Sequence, residues 1–253
     1  MSRSNRAWAK SPPVGDAGPM LVPCMMLRKG QVCLPGEAGP VVAMTSAGVP
    51  FDPFDVVDRL HGKYGRLYLV DLDGIERADP QLDYLQELSR DITLWVDAGV
   101  PTADAAIDIL VAGAERAVLS TEFLRGPVEV KRAWKLSTDW AFEVEISPDG
   151  TLVASTDWPS RDPVEVAASV REVGIGDIIL SPRERDPDWN LVGGLAAGGP
   201  TWVDGTFRID QAAFLRSSGA VGGIFHLNDV LGQPPVAPSP DVAPAASPRD
   251  DED

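Results

Sequence analysis

Short apolar runs rich in β-branched residues alternate along this chain with amphipathic stretches of helical period, a pattern that predicts βα units around a buried parallel sheet. Eight strands are expected: Met20–Met26, Arg66–Leu72, Ile92–Ala98, Arg116–Ser120, Trp140–Ile146, Asp177–Ser181, Thr201–Asp204 and Ala220–Phe225. Between them lie helical patterns such as DPFDVVDRLHGKYG, PQLDYLQELSR, TADAAIDILVAGA and DPVEVAASVREVG. Each opens on an Asp, Pro or Thr of the kind that starts a helix, and several end near Gly. Eight such repeats predict a closed, compact (β/α)₈ TIM barrel over residues 20–232. A doubly wound open sheet is the competing α/β architecture, but no GxGxxG follows the first strand. Residues 1–19 and 233–253 are rich in Pro, Ala, Ser and acids, so they read as mobile tails with too little apolar surface to offset the entropy of ordering.

Composition narrows the partners. An apolar content of 44% rules out disorder throughout. The net charge of -16 opposes attraction to nucleic acid or anionic membrane. No apolar run approaches the roughly 18 to 20 residues that cross a bilayer, and no apolar leader with a cleavage site opens the chain, so the expected location is cytoplasmic. Cys24 and Cys33 form neither a disulfide framework nor a zinc pattern.

In a barrel, chemistry belongs to the C-terminal ends of the strands and the loops after them. Those ends carry Met26, Arg28 and Lys29; Asp71 and Asp73; Asp97 and Gly99; Ser120 and Thr121; Glu143 and Glu145; Ser181, Arg183 and Arg185; Asp204 and Gly205; and Gly222 with Gly223. Glu143 and Glu145 are two apart and share a face of their strand, while Phe142 and Val144 take the other. Helix-facing positions should be apolar, so the glutamates are expected to point inward, where burial would raise their pKa values and suit one of them to proton transfer. An internal polar layer satisfied by Arg or water is the structural alternative. Asp71, Asp97, Glu145 and Asp204 have oxygen donors for a hard cation, but no spacing motif supports a metal, and no cofactor is expected.

A phosphate site is expected where Gly205 and the Gly222–Gly223 pair would let backbone approach an oxyanion. Ser120–Thr121 with Gly99 could form a second one across the ring, and Arg28, Lys29, Arg183 and Arg185 would offset the acids nearby. Any of these glycines could instead serve a turn or packing. His61, late in the first helix, reads as a helix-end residue, and His226 follows the last strand near the expected phosphate loop. No Ser-His-Asp or Cys-His arrangement can be argued.

Several segments in order carry a family resemblance. VPCMMLRKGQVCL, LYLVDLDGI, WVDAGVPTADAAIDILVAGAERAVLSTEFL, FEVEISPDG and VGIGDIILSPRERD resemble successive units of the histidine-biosynthesis barrels of the HisA and HisF type. The D-A-G and S-T-E forms are closest to divergent HisA-like relatives of archaea and methylotrophs. The resemblance implies an Amadori aldose-to-ketose isomerisation of a phosphorylated ribotide. It places Glu145 where the isomerase has its strand-five Asp and Ser181 where it has a strand-six Thr. Met26 stands where the isomerase has a strand-one Asp, and a thioether accepts no proton. The sequence is therefore compatible with an isomerase using Glu145 as acid or base with Ser181 orienting, and with a non-catalytic barrel serving as a ligand-binding or assembly partner.

Overall fold

The computed structural model describes residues 19–36, 38–183, 186–204 and 211–231. Both expected tails lie outside them, apart from Pro19. Three strands open the fold: β1 (Met20–Arg28), β2 (Gln31–Leu34) and β3 (Val41–Val42). They are followed by α1 (Pro53–Leu60), β4 (Arg66–Asp71), α2 (Leu72–Arg77), α3 (Leu82–Leu88), β5 (Thr93–Asp97), α4 (Ala103–Val111) and β6 (Arg116–Ser120). Then come α5 (Gly126–Leu136), β7 (Trp140–Ile146), β8 (Leu152–Val153), α6 (Pro163–Val173) and β9 (Ile178–Pro182). The last elements are α7 (Trp189–Ala197), β10 (Thr201–Val203), α8 (Ala212–Ser218), β11 (Gly222–His226) and α9 (Asn228–Leu231).

Strands β1, β4, β5, β6, β7, β9, β10 and β11 pair in parallel in that order, and β11 pairs back onto β1, so the sheet closes into the expected eight-stranded barrel. The remaining strands are antiparallel hairpin partners laid on the mouth: β2 and β3 beyond β1, and β8 beyond β7. Helix starts follow the sequence signals. Asp52, Thr102 and Asp162 cap α1, α4 and α6 by accepting backbone N–H groups of their first turns.

Strand alternation divides the apolar residues into two cores. Leu67, Leu69, Phe142, Val144 and their counterparts face the helices in one large cluster. Val22, Cys24, Tyr68, Trp95, Val118, Ala141, Ile179, Trp202 and Ile224 form a separate cluster inside the barrel. Trp95 and Trp202 meet edge to face at 4.8 Å between ring centroids and fill the lower lumen. Arg66 and Arg116 lie over the Trp95 ring at 4.7 and 5.3 Å. Below them Asp177 pairs with Arg116 at 2.9 Å and accepts the Trp202 indole N–H at 3.0 Å. The N-terminal end is thus a packed floor, and the open end is the one where the strands finish.

The last barrel strand is displaced from its expected limits. It runs Gly222–His226 because Met20 is in register with Gly222 and Cys24 with His226. Gly222 and Gly223 therefore sit at the floor end of β11, and the mouth end is His226.

Candidate active site

A cavity of about 340 Å³ opens at the C-terminal ends of the strands. Its wall includes Met26 from β1, Tyr68 and Val70 from β4, Asp97 from β5, Glu143 and Glu145 from β7, Ser181 from β9, Arg183 and Asp204 just past β9 and β10, and His226 at the end of β11. The inward orientation of both glutamates follows from alternation along a strand whose every residue is buried. A second hollow, about 420 Å³, lies at the opposite end beside His61, Lys63 and Arg90, away from the strand tips where the carboxyl groups converge. The His61 ring there is bonded to the Asp91 carbonyl at 2.8 Å and stands just past the end of α1, as expected of a helix-end residue.

Glu143 is the most buried of the carboxyl groups on this wall. It accepts the Tyr68 hydroxyl at 3.4 Å and a hydrogen bond from Ser181. Burial, followed by the charges of Asp97, Asp204 and Glu145, pushes it well above the ordinary carboxyl range. Glu145 is pushed up to about 8, first by burial and then by the neighbouring Glu122 carboxyl, against the pull of Arg183. Arg183 holds both acids, bonding Glu145 through Nε and Glu122 through Nη2 at 2.6 Å. Asp97 is pushed up to about 6, chiefly by burial, although the Gly99 N–H it accepts at 3.0 Å works the other way. The same burial, with the acids around it, raises the Cys24 thiol well above its usual range.

Of the residues expected at the site, Glu145, Ser181 and Arg183 come together on this cavity. Ser120 accepts the Phe123 N–H at 3.2 Å, which makes its hydroxyl part of the turn after β6. Thr121 donates to the Val153 carbonyl at 2.6 Å and accepts the Glu145 N–H at 3.3 Å, tying β8 to β7. Gly99 is a packing glycine: at φ +62°, with a Cβ that would come 2.9 Å from Ile75, it lets the turn after β5 press on α2.

Arg28 is drawn away from the cavity, because the β1–β2 turn carries it to Glu76 and the Pro40 carbonyl. Gly222 and Gly223 are at the floor, so the oxyanion role expected of them at the mouth is not where the structure puts them. Arg185 and Gly205 lie outside the described residues. Asp71, one of the candidate cation ligands, is fully buried as the cap of α2 and bonded to the N–H groups of Asp73, Gly74 and Gln81. No group of three or more metal-ligating side chains occurs among the described residues, and no helix among them is long and apolar enough to cross a membrane. Cys24 and Cys33 are both buried free thiols.

Among the polar side chains of the wall, Tyr68 and Glu122 are the two that sequence reasoning does not single out. Tyr68 had a signal, since it shares the Arg66, Val70 face of β4. Glu122 had none, because only the fold carries it to Arg183.

The family model described as histidine biosynthesis protein matches residues 20–186, from β1 through β9. A protein of Vibrio vulnificus is 27% identical over 229 residues, covering 84% of this chain and 88% of its own. One of Thermomicrobium roseum is 29% identical over 198 residues, covering 73% and 80%. One of Haloarcula marismortui is 28% identical over 224 residues, covering 83% of each. All three are named 1-(5-phosphoribosyl)-5-((5-phosphoribosylamino)methylideneamino) imidazole-4-carboxamide isomerase. The match takes in six of the eight barrel strands and every inward carboxyl group from Asp97 to Glu145, and on that ground the chain belongs to the histidine biosynthesis protein family.

Proposed function

We propose that this barrel is an isomerase that moves protons within a phosphorylated ribosylamino compound of the kind named in its relatives, converting an aldose form to a ketose form. The observation that carries this reading is the convergence of Glu145, Glu143 and Ser181 on one cavity at the strand ends. Glu145 serves as acid or base. Near neutral pH, with its titration at about 8, it is largely protonated and able to donate to a ring oxygen as the sugar opens. Ser181 orients its neighbour Glu143 through the hydrogen bond between them and offers a hydroxyl to substrate. Arg183 is the described cation on the wall for a phosphate oxygen. Arg185 and Gly205 complete that role in this reading. The setting is cytoplasmic, and the ligand is a small phosphorylated molecule, with no cofactor called on.

The second reading is a non-catalytic barrel that keeps the scaffold and binds a ligand or partner. Met26 on the cavity wall favours it, because a thioether moves no proton.

Turnover of the histidine-pathway ribotide, followed spectroscopically with the wild type and Glu145→Gln, separates the two. Turnover that falls about 10² to 10⁴-fold in the variant supports the isomerase. A wild type that stabilises on adding ribotide yet converts none of it supports the binding barrel, and turnover untouched by the substitution removes Glu145 from the role.

A further inference from the structure

Met26, Val70 and Asp97 lie side by side on one rung of the barrel, since Met26 is in register with Val70 and Val70 with Asp97. All three line the cavity that holds Glu145. A proton acceptor missing at Met26 is thus present two strands away at the same level. Asp97 ends β5 and is almost fully buried, so it faces the cavity from a strand rather than from a loose loop. Its Oδ1 accepts the Gly99 N–H at 3.0 Å, and Gly99 is itself wedged against Ile75. A carboxyl group held through one oxygen keeps lone pairs on the other with which to take a proton.

We propose that Asp97 is the general base of the isomerisation, working on the same cavity as Glu145, which stands two strands away on β7 and is the acid. The inference rests on the isomerase reading above. In this scheme Glu145 protonates the ring oxygen, the C1–O bond breaks, and C1 becomes a protonated imine. Asp97 then takes the C2 proton. The C–H electron pair becomes a C1=C2 bond while the imine pair returns to nitrogen, giving an enaminol. Loss of the enol O–H proton and gain of one proton at C1 yield the aminoketose, so hydrogen has moved from C2 to C1 and nothing has entered or left.

The charge state of the cavity suits this division. The groups facing Asp97 are Cys24 from β1, Tyr68 and Asp71 from β4, Glu122 after β6 and Glu143 from β7. At pH 7 an acid titrating at about 6 is mostly ionised, whereas Glu145, at about 8, is mostly protonated. Two carboxyl groups whose surroundings set them apart in this order form a base and an acid.

The test uses the full chain and the ribotide, with wild type, Asp97→Asn, Asp97→Glu and Glu145→Gln compared from pH 5 to pH 9. The expected result is a wild-type kcat that falls on the acid side with a midpoint near 6. Asp97→Asn should lower kcat about 10² to 10⁴-fold and remove that limb while keeping its melting transition. Asp97→Glu should recover part of the rate with the limb displaced. If Asp97→Asn does not fold, the wild-type profile and Asp97→Glu decide: a wild-type rate flat through the acid range, or a limb that Asp97→Glu leaves in place, overturns the proposal. Turnover lost in Glu145→Gln but kept in Asp97→Asn overturns the base and spares the isomerase. No turnover by the wild type overturns both.

Discussion

Trp202 occupies the space that a side chain at residue 222 would fill: a Cβ on Gly222 would lie 2.4 Å from Cζ3 of the indole and 2.5 Å from the Met20 carbonyl oxygen. One of these neighbours is backbone in the β1–β11 pair and the other is wedged against Trp95, so neither can step aside. Gly222→Ala should therefore destabilise the fold by about 1 to 3 kcal/mol. Gly176→Ala, where a Cβ meets nothing within 4 Å, should stay within about 0.5 kcal/mol of wild type. Chemical denaturation of the two variants measures the difference, and equal stabilities would contradict the packing argument.

Asp71 anchors a chain of bonds that reaches β1. Its Oδ2 accepts the Gln81 N–H at 2.6 Å, and the Gln81 side chain in turn accepts the Gly30 N–H at 2.6 Å and donates to the Leu27 carbonyl at 3.2 Å. Asp71→Ala would strand buried N–H groups of α2 and should cost about 3 to 5 kcal/mol. Asp71→Asn, which keeps an accepting oxygen, should cost less. Amide hydrogen exchange at Lys29 and Gly30 should quicken in the alanine variant, because the β1–β2 turn loses its hold; unchanged exchange there would show the turn to be self-supporting.

Stability should fall as pH rises across the neutral range. Asp97, Glu143 and Glu145 all titrate higher in the fold than the roughly 3.9 to 4.3 of exposed carboxyl groups. Between those limits the folded chain holds more protons than the unfolded one, so these groups remove stability on going from about pH 4 towards pH 8. Glu143→Gln removes the most deeply buried contributor. Its stability relative to wild type, read as melting temperature, should therefore climb as the pH rises. A constant offset between pH 5 and pH 8 would mean that Glu143 is not protonated in the fold.

Arg183→Met should act in two places. Without the guanidinium, Glu122 and Glu145 are left against each other, so Glu145 moves further above 8 and the basic limb of the pH–rate profile follows it upward. On the proposed role of Arg183 toward a phosphate oxygen, KM should also rise about tenfold. A limb that stays in place would show that Glu145 does not set it.

The barrel and its inward acids were legible in the sequence because both depend on alternation. β6 and β7 keep their expected limits, and Glu143 with Glu145 had to face inward once Phe142 and Val144 were given to the helices. Features set by distant pairing were not legible. β8 is only Leu152–Val153 and exists because Glu145 and Ile146 offer it an edge. The limits of β11 depend on where Met20 comes to rest, a choice open to any Gly-rich strand. Arg28 was expected at the mouth from its place after strand one, but the left-handed Lys29–Gly30 turn folds the chain back and delivers it to Glu76.

The packed floor has a kinetic consequence. With Trp95 and Trp202 filling the lower lumen and Arg66 and Arg116 beneath them, the described residues close the cavity at the floor and leave it open at the strand ends. Whatever is made there must leave the way its precursor came in, and while it stays no new molecule can enter. Product added at the start should therefore act as a competitive inhibitor, raising KM and leaving the maximal velocity unchanged.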